Sequence, residues 1–369
     1  MSERDTRFDA AMRTAIGLAG LALGRTSPNP VVGCVVLDRD GAVAGTGHHA
    51  VAGGPHAEVV ALAAAGPRAL GGTAVVTLEP CAHTGRTGPC ADALLAAGIA
   101  AVVYAVPDPN AAAAGGARRL RDAGVRVLGG VLRAEAERGN EMWLTAVRTG
   151  RPFVTWKFAG TLDGRSAAAD GSSRWITAGA ARRDAHALRA AHDAVVVGAG
   201  TLRADDPQLG LRHGVGGTPP VRVVVVSDGR VPPGARVLDG SAPTLVAMDR
   251  DAPDPGLPGV DVIRLPRTPG GLDLAALLTG LYARDVRSVL VEGGAALAAG
   301  FVAAGLVDRV VAYLAPALLG SGPGVLGDIG VTGMGQVRRL RVDGVDLIGE
   351  DVRVVLRPGA ARTPEDAHA

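Results

Sequence analysis

Apolar positions along the chain follow two periods, one typical of buried strands and one typical of helices packed on a sheet. Short apolar runs such as residues 31–37 (VVGCVVL) predict strands, and the Ala- and Leu-rich stretches between such runs predict helices. For the first half we predict helices over 9–24, 57–65, 91–97, 116–123 and 135–148, and strands over 31–37, 43–47, 73–78, 102–106 and 125–128. This alternation predicts an α/β fold.

A second α/β pattern follows the sequence Thr149-Gly150-Arg151-Pro152, which ends the last helix of the first half. We therefore predict one domain over residues 1–148, a second over 151–360, and a flexible tail over 361–369. In the second domain we predict helices over 178–190, 272–283 and 295–304, and strands over 153–158, 194–197, 221–226, 244–247, 260–263, 288–291, 310–313 and 352–356.

Composition excludes several classes of protein. Of the 369 residues, 47% are hydrophobic and 20% are charged, so the chain has enough apolar residues for a large core. The first 150 residues carry 14 basic and 13 acidic side chains and the remaining 219 carry 24 and 23, so neither half has the basic excess of a nucleic-acid-binding protein. Three cysteines are too few for a disulfide framework, the first residues are charged, and the longest apolar run has only 14 residues. We expect a soluble cytoplasmic protein with no membrane partner.

The strongest chemical signal is a set of metal-binding residue types in the first domain. His56-Ala57-Glu58 precedes a predicted helix, and Cys81 and Cys90 each follow a proline. A catalytic zinc site uses three protein ligands and leaves a fourth position for water. One His and two Cys match that count, and Glu58 is placed to take a proton from the activated water and pass it to a leaving amine. The pattern is the signature of zinc nucleobase deaminases.

The spacing of the two cysteines differs from that signature. Eight residues, AHTGRTGP, separate Cys81 from Cys90, where the usual spacing is two. This loop would bring His83 and Arg86 near the metal, and Arg86 is a natural anchor for phosphate. A closed structural zinc site with His83 as fourth ligand stays open as an alternative, although Glu58 has no purpose in it. Cys34, inside VVGCVV, is predicted to be a buried core residue.

The second domain is less explicit. No G-x-G-x-x-G motif follows its first strand, so a Rossmann-type dinucleotide site is weakly supported. Glu292-Gly293-Gly294 lies between a predicted strand and a predicted helix, where glycines could bring the backbone close to a phosphate or simply form a tight turn. Lys157 is the only lysine in a chain with 37 arginines, which indicates a site that needs a compact ammonium group or a coincidence.

Several longer segments carry a resemblance to a known family. SPNPVVGCVV, HAEVVAL and TLEPCAHTGRTGPC resemble the deaminase domain of the bifunctional pyrimidine deaminase/reductase family of riboflavin biosynthesis, including its long Cys–Cys spacing. AGTLDGR, RWITAGAARRDAH, GTLRADDPQL and VEGG extend the resemblance through the second half, so that it covers roughly residues 8–357. The chain departs from the family pattern at Ala111, Thr161, Val226 and Ala295-Ala296.

The resemblance implies a fold, two reactions and two cofactors. The fold would be a cytidine-deaminase-like three-layer sandwich followed by a dihydrofolate-reductase-like domain. The first domain would use Zn²⁺ to deaminate 2,5-diamino-6-(5-phosphoribosylamino)pyrimidin-4(3H)-one, and the second would use NADPH to reduce the ribosyl side chain of the product to ribityl. The partners would be these small molecules, and we also expect a homo-oligomer.

The resemblance also assigns roles to individual positions. In the first domain it places the zinc ligands at His56, Cys81 and Cys90, the proton shuttle at Glu58, and substrate contacts at Asn29 and His49. In the second domain it implies substrate contacts at Ser173, Arg189, Leu209, Arg212 and Glu292, and its K-x-x-x-x-x-D-G context marks Lys157 and Asp163 as candidate catalytic residues. NADP contacts are expected at Ala159, Trp175, Thr201, Asp205, Ser227, Gly294, Ala295, Ala296, Leu297, Ala298, Ala299 and Gly300.

Three rival functions remain at this point. A nucleic-acid-editing deaminase would share the zinc motif, but the near-zero charge of each half argues against it. A zinc-stabilised NADP-binding or regulatory protein would need neither Glu58 nor an open metal position. A chain in which only one domain is active is the third.

Overall fold

The structure, a computed structural model, describes residues 6–83 and 88–359. Contacts along the chain divide it into two compact units, with the division between Gly150 and Arg151. None of the described helices is both long enough and apolar enough to cross a membrane.

The first unit is built on a five-stranded sheet. Its strands are β1 (Gly33–Leu37), β2 (Val43–His48), β3 (Thr73–Leu78), β4 (Ala101–Val106) and β5 (Arg126–Gly129), and its helices are α1 (Asp9–Gly20), α2 (Ala57–Ala65), α3 (Cys90–Ala96), α4 (Gly116–Asp122), α5 (Arg133–Gly139) and α6 (Glu141–Thr149). The strand order is β2-β1-β3-β4-β5. Strand β1 is antiparallel to both neighbours, whereas β3, β4 and β5 are parallel.

Helices cover both faces of this sheet. Successive side chains of a strand point to opposite faces, and in β1 Cys34 and Val36 pack on one side with residues of α2 and α3. Val35 and Leu37 pack on the other side with residues of α1, α5 and α6. The unit is therefore the predicted three-layer sandwich, and Cys34 is fully buried in its core as predicted.

Two glycines of β2 allow a very close approach of helix α2. A Cβ atom at Gly45 would lie 2.4 Å from the Ala61 carbonyl oxygen, and one at Gly47 would lie 2.5 Å from the Ala61 backbone nitrogen. Strand and helix are thus in backbone contact with no side chain between them. This contact fixes the position of α2, which begins directly after His56 and carries Glu58 in its first turn.

The second unit is built on a nine-stranded sheet. Its strands are β6 (Phe153–Thr161), β7 (Ala194–Gly198), β8 (Val221–Val225), β9 (Thr244–Asp249), β10 (Asp261–Leu265), β13 (Ser288–Val291), β14 (Arg309–Ala315), β15 (Leu340–Ile348) and β16 (Asp351–Pro358), with β11 (Arg267–Thr268) and β12 (Gly271–Leu272) forming a separate small hairpin. The helices are α7 (Gly179–Ala190), α8 (Ala199–Asp205), α9 (Leu274–Tyr282) and α10 (Ala295–Ala303).

Most strands of this larger sheet are parallel. The order is β10-β9-β8-β7-β13-β6-β14-β16-β15, and only the pairs of β16 with β14 and β15 are antiparallel. Strands β6, β7, β8, β13 and β14 therefore all end at one edge of the sheet. Ligands of parallel sheets bind at the carboxyl ends of the strands, so this edge is where a site is expected.

Several element boundaries differ from the sequence-based prediction. The helix predicted over 135–148 is two helices, separated at Asn140, whose side-chain oxygen accepts a hydrogen bond from the backbone N–H of Val31. The first helix ends at Gly20 rather than at residue 24. Helix α8 and strand β15 were not predicted. Strand β15 lies at the sheet edge, and a bulge between Val342 and Gly344 interrupts its alternating pattern.

Replacing Gly47 by Ala should destabilise the first unit, because the added methyl group would collide with the backbone of α2. We expect a loss of about 1–3 kcal/mol in the free energy of unfolding. Gly17 is the matched control, since it lies inside α1 with open space around it, and Gly17→Ala should gain about 0.5–1 kcal/mol. Urea unfolding of both variants checks this, and equal effects would contradict the close approach.

Candidate active sites

Three side chains from three segments of the first unit form a group able to hold a metal ion. His56 is the residue before α2, Cys81 follows β3, and Cys90 is the first residue of α3. His56 Nδ1 lies 3.1 Å from Cys90 Sγ and 3.7 Å from Cys81 Sγ. The Cys90 backbone N–H donates to Cys81 Sγ at 3.3 Å, and hydrogen bonding from Cys90 and His56 lowers the pKa of the Cys81 thiol. All three donor atoms lie within 4.8 Å of one another.

The donor group has three members. Within residues 6–83 and 88–359, no other His, Cys, Asp or Glu joins it, and no second group of this kind occurs. His83 lines the adjoining cavity but is not one of the donors. The geometry thus favours a three-ligand site over the closed four-ligand alternative.

Glu58 faces the cavity beside this group. The cavity has a volume of about 160 Å³ and is lined by His56, Glu58, Cys81 and His83, among others. Glu58 is only 4% exposed, and this burial raises the pKa of its carboxyl group. A carboxyl group that binds a proton more readily than usual is suited to proton transfer near neutral pH.

Asn29 and His49 lie together at the same cavity. The His49 Nδ1 atom is 3.0 Å from the Pro55 carbonyl oxygen, which can only accept, so Nδ1 carries the proton. Burial lowers the pKa of His49 and so favours the neutral ring, whose Nε2 then accepts from the Asn29 amide nitrogen at 3.3 Å. His49 thereby fixes the orientation of the Asn29 amide.

In the second unit, four of the predicted cofactor residues lie at the carboxyl ends of parallel strands. Ala159 lies near the end of β6, Ser227 follows β8, and Thr201 is in α8, directly after β7. Gly294 precedes α10, and its backbone N–H donates to Thr201 Oγ1 at 2.9 Å. Two segments separated by more than ninety residues in sequence are thus joined where the sequence analysis expected a dinucleotide.

A buried ion pair lies at the same edge of the sheet. Arg189 donates through Nε and Nη2 to the two carboxylate oxygens of Glu292, both at 2.9 Å, and through Nη1 to the Gly210 carbonyl oxygen at 2.6 Å. Both side chains are about nine-tenths buried. Burial acts to raise the pKa of Glu292, but the positive charges of Arg189 and Lys157 outweigh it and lower that pKa to about 2.

Lys157 lies next to this ion pair. Its Nζ atom is 5.6 Å from the centre of the Tyr313 ring, and no hydrogen bond from Nζ is found within the described part of the chain. Burial lowers the pKa of Lys157, and the negative charge of Glu292 counteracts part of this effect. The Lys157 ammonium group therefore lies near the Glu292 carboxylate, and its N–H groups make no hydrogen bond within the described residues.

Comparison with known proteins identifies the family. The family described as RibD C-terminal domain matches residues 152–354, and that described as cytidine and deoxycytidylate deaminase zinc-binding region matches residues 6–106. The riboflavin biosynthesis protein RibD of Mycobacterium tuberculosis strain H37Rv is 43% identical over 96% of this chain and 98% of its own length. The RibD of Escherichia coli K12 is 42% identical over 84% of this chain and 88% of its own. The chain belongs to the RibD family.

Solved structures agree with this assignment. Acinetobacter baumannii RibD superimposes with a TM-score of 0.89 at 39% identity, covering 96% of this chain and 99% of that protein. A Thermotoga maritima protein described as a diaminohydroxyphosphoribosylaminopyrimidine deaminase/5-amino-6-(5-phosphoribosylamino)uracil reductase gives 0.84 at 36% identity, with the same coverage. This RibD chain contains both the deaminase and the reductase domain, so it is a bifunctional enzyme of riboflavin biosynthesis that acts on small molecules. Its domains imply zinc and a nicotinamide cofactor.

Asp163, the second candidate catalytic residue of the reductase domain, is held by hydrogen bonds from its own loop and from the loop after β14. Its carboxylate accepts hydrogen bonds from Thr161 Oγ1 at 2.6 Å and from the backbone N–H groups of Leu319 and Gly320 at 3.2 and 2.7 Å. These contacts, that of Thr161 foremost, lower the pKa of Asp163 to about 2. They connect the loop after β6 to the loop after β14 and give no support to the predicted catalytic role.

Other predicted positions of the second unit lie in the loop before α7, at the end of α8 and in the segments before and after β8. Trp175 is 68% exposed with the Arg182 guanidinium over its ring, and Asp205 forms an ion pair with Arg174 at 3.7 Å. Ser173 is half-buried and Leu209 is buried. The Ser227 carbonyl oxygen accepts a hydrogen bond from the Asp249 backbone N–H, and the Arg212 backbone N–H donates to His186 Nδ1. Arg86 lies outside the described residues.

The structure adds cavity residues that the sequence analysis did not assign. Glu79, Asp108, Asn110 and Ala113 also line the cavity. Burial raises the pKa of Asp108 to about 6, and the negative charge of Glu79 acts in the same direction. For Glu79, the sequence signal that could have indicated a place in the cavity is its position two residues before Cys81.

Replacing Glu292 by Gln should leave the buried Arg189 charge without its partner and destabilise the second unit by about 3 kcal/mol at pH 7. The folded-state pKa of Glu292 is below the ordinary value of 4.5, so its stabilising effect is complete above that pH and is lost as the pH falls towards 2. The difference between wild type and variant in urea unfolding should therefore shrink in acid. Asp228→Asn, at an exposed ion pair, should cost less than about 1 kcal/mol, and an equal effect would refute the role of burial.

Proposed function

We propose that His56, Cys81 and Cys90 hold the catalytic zinc of the deaminase domain. One imidazole nitrogen and two thiolate sulfurs are a donor set that zinc prefers, and neighbouring donors of a tetrahedral zinc site lie about 3.6 Å apart. The distances of 3.1 and 3.7 Å from His56 Nδ1 to the two sulfurs fit such a site. When bound, the ion would supply Lewis-acid activation of a water molecule. The convergence of these three donors beside Glu58 is the observation that carries the proposal.

Glu58 is proposed as the proton shuttle of the deamination. Its carboxylate would take the proton of the attacking water and deliver it to the departing amine nitrogen, so that ammonia leaves and a carbonyl replaces the amine. Its burial beside the donor group supports this role, because the raised pKa makes the carboxylate a better proton acceptor than an exposed one.

Asn29 and His49 are proposed to orient the pyrimidine ring. The amide of Asn29 is held by His49, so its orientation does not have to be selected when the substrate enters. Arg86 is kept as the proposed phosphate anchor on the basis of the sequence alone. The substrate is proposed to be 2,5-diamino-6-(5-phosphoribosylamino)pyrimidin-4(3H)-one, as the name of the Thermotoga relative indicates for that protein.

For the reductase domain we propose NADPH as the cofactor, which would supply the hydride that converts ribosyl to ribityl. Gly294 precedes α10 in a strand-to-helix turn, where backbone N–H groups favour a phosphate, and its bond to Thr201 keeps that turn in place. The other proposed contacts are Ala159, Trp175, Asp205, Ser227, Ala295, Ala296, Leu297, Ala298, Ala299 and Gly300, of which Ala298 and Ala299 are buried in the second unit.

Lys157 and the ion pair of Arg189 with Glu292 are proposed to position the sugar. Lys157 would donate hydrogen bonds to a ribose oxygen from its half-buried position. Arg189 uses three of its N–H groups within the protein and has two left for a phosphate oxygen. Ser173, Leu209 and Arg212 complete the proposed substrate contacts. We keep the homo-oligomer and the cytoplasmic location as predictions of this proposal.

Glu58→Gln should abolish deamination while zinc remains bound. The amide cannot carry the proton, so ammonia release should fall by about 10²–10⁴-fold, while zinc content stays at that of wild type. The control Glu135→Gln, at an exposed ion pair with Arg13, should change neither quantity. An unchanged rate in Glu58→Gln would exclude the shuttle. Release of ammonia from single-stranded RNA, and not from the pyrimidine phosphate, would favour the nucleic-acid-editing alternative.

Lys157→Met should impair reduction and leave deamination intact. Loss of a charged hydrogen bond is worth about 1.5–3 kcal/mol, so kcat/KM for NADPH oxidation on the deaminated substrate should fall at least about tenfold. Lys157→Arg should not restore it, because a planar guanidinium is larger and differently shaped. Deamination by the same chain is the internal control. A Lys157→Met variant that reduces the substrate at the wild-type rate would show that the single lysine has no role in reduction.

The cofactor assignment has a separate test. Oxidation of NADH by the wild-type enzyme as fast as oxidation of NADPH would overturn it.

A further inference from the structure

Glu79, two residues before Cys81, is hydrogen-bonded to a second segment that lines the deaminase cavity. Its Oε1 atom accepts hydrogen bonds from the backbone N–H groups of Gly115 and Ala117, at 3.2 and 3.0 Å. Its Oε2 atom accepts from the backbone N–H of Asp108 at 3.3 Å. One carboxylate therefore receives three amides from both ends of a single stretch, residues 108–117, which we call the wall segment.

Two further contacts seat the wall segment on the same strand end. The Ala82 backbone N–H donates to the Ala113 carbonyl oxygen at 3.0 Å. At Gly116 the backbones are so close that a Cβ atom would lie 1.8 Å from the Pro80 carbonyl oxygen. The wall segment is therefore in direct contact with the residues on both sides of Cys81.

The wall segment presents polar groups to the cavity. Asp108 and Asn110 both line it, and the Asn110 backbone N–H donates to Asp108 Oδ1 at 2.8 Å, which orients that carboxyl group. The Asp108 backbone is in turn held by Glu79. Loss of the Glu79 carboxylate would remove the hydrogen bond that holds the backbone of Asp108, a residue that lines the cavity.

We propose that Glu79 is a positioning residue for deamination, which holds the wall segment at the correct distance from the zinc donors; this rests on the function proposed above. A carboxylate suits the task because it offers two acceptor oxygens, and three N–H groups converge on them. A Gln at this position could still accept from Gly115 and Ala117 through its carbonyl oxygen. Its NH₂ group is a donor and cannot accept from the Asp108 N–H, so only the hydrogen bond from Asp108 would be lost.

The test compares Glu79→Ala, Glu79→Gln and wild type in the full-length zinc enzyme with the diaminopyrimidine phosphate as substrate. We expect the KM for deamination to rise about tenfold or more in Glu79→Ala and by a smaller factor in Glu79→Gln, with kcat changed less than about threefold. Zinc content should stay at that of wild type. KM is the decisive quantity because it does not depend on the fraction of enzyme that is folded.

Two controls separate positioning from general stability. Asp38 also accepts two backbone N–H groups, at the β1–β2 turn, but does not line the cavity, so Asp38→Ala should leave the KM unchanged. NADPH-dependent reduction by the same chain reports on the second unit. Hydrogen–deuterium exchange should accelerate over the whole wall segment in Glu79→Ala and mainly at Asp108 in Glu79→Gln.

Specific results would overturn the proposal. An unchanged KM in Glu79→Ala, with faster exchange in the wall segment, would show that the wall position does not matter for substrate binding. Loss of zinc in both variants, with a normal KM for the remaining activity, would make Glu79 a support of the metal segment only. Absence of deamination in zinc-loaded wild type would instead refute the proposed function itself.

Discussion

The deaminase unit depends on the convergence of one imidazole nitrogen and two sulfurs that lie within 4.8 Å of one another. Each donor is placed by the start of a helix or the end of a strand, so the sheet and its flanking helices must be formed before the group exists. Thiols and an imidazole in this arrangement bind a metal only after they lose their protons. Metal uptake, protonation and folding of this unit are therefore linked, and the buried Glu58 carboxyl belongs to the same electrostatic system.

The reductase unit meets a different electrostatic requirement. Its site gathers an arginine, a carboxylate and a lysine at the ends of parallel strands, where burial would otherwise disfavour each charge. The ion pair of Arg189 with Glu292 offsets the free-energy cost of burying these two charges through two parallel hydrogen bonds. Lys157 is left as the group with unused donors among the described residues of this cluster. Preorganised charge at a strand edge suits a reaction whose bond-making is supplied by a nicotinamide.

Local sequence patterns were sufficient for part of the fold and site. The convergence of His56, Cys81 and Cys90 could be predicted because these residue types are typical metal ligands, and most strands could be predicted because they are continuous apolar runs. Glu79 could not, since its partners are 29, 36 and 38 residues away and are backbone amides that carry no side-chain signal. The helix break at Asn140 likewise depends on a bond to Val31, more than a hundred residues earlier. The loop contacts of Asp163 could not be predicted either, because two of its three partners are backbone amides more than 150 residues away.

The backbone contact between β2 and α2 has a bearing on how substrate preference could change in this fold. Because Gly45 and Gly47 bring the strand backbone against the helix backbone, α2 cannot move closer to β2. No side chain lies between them whose size could change the distance between strand and helix. The helix side of the cavity is consequently a fixed reference surface. A change of preference towards larger or smaller pyrimidines would then depend on other parts of the cavity lining, such as Asp108, Asn110 and Ala113 between β4 and α4.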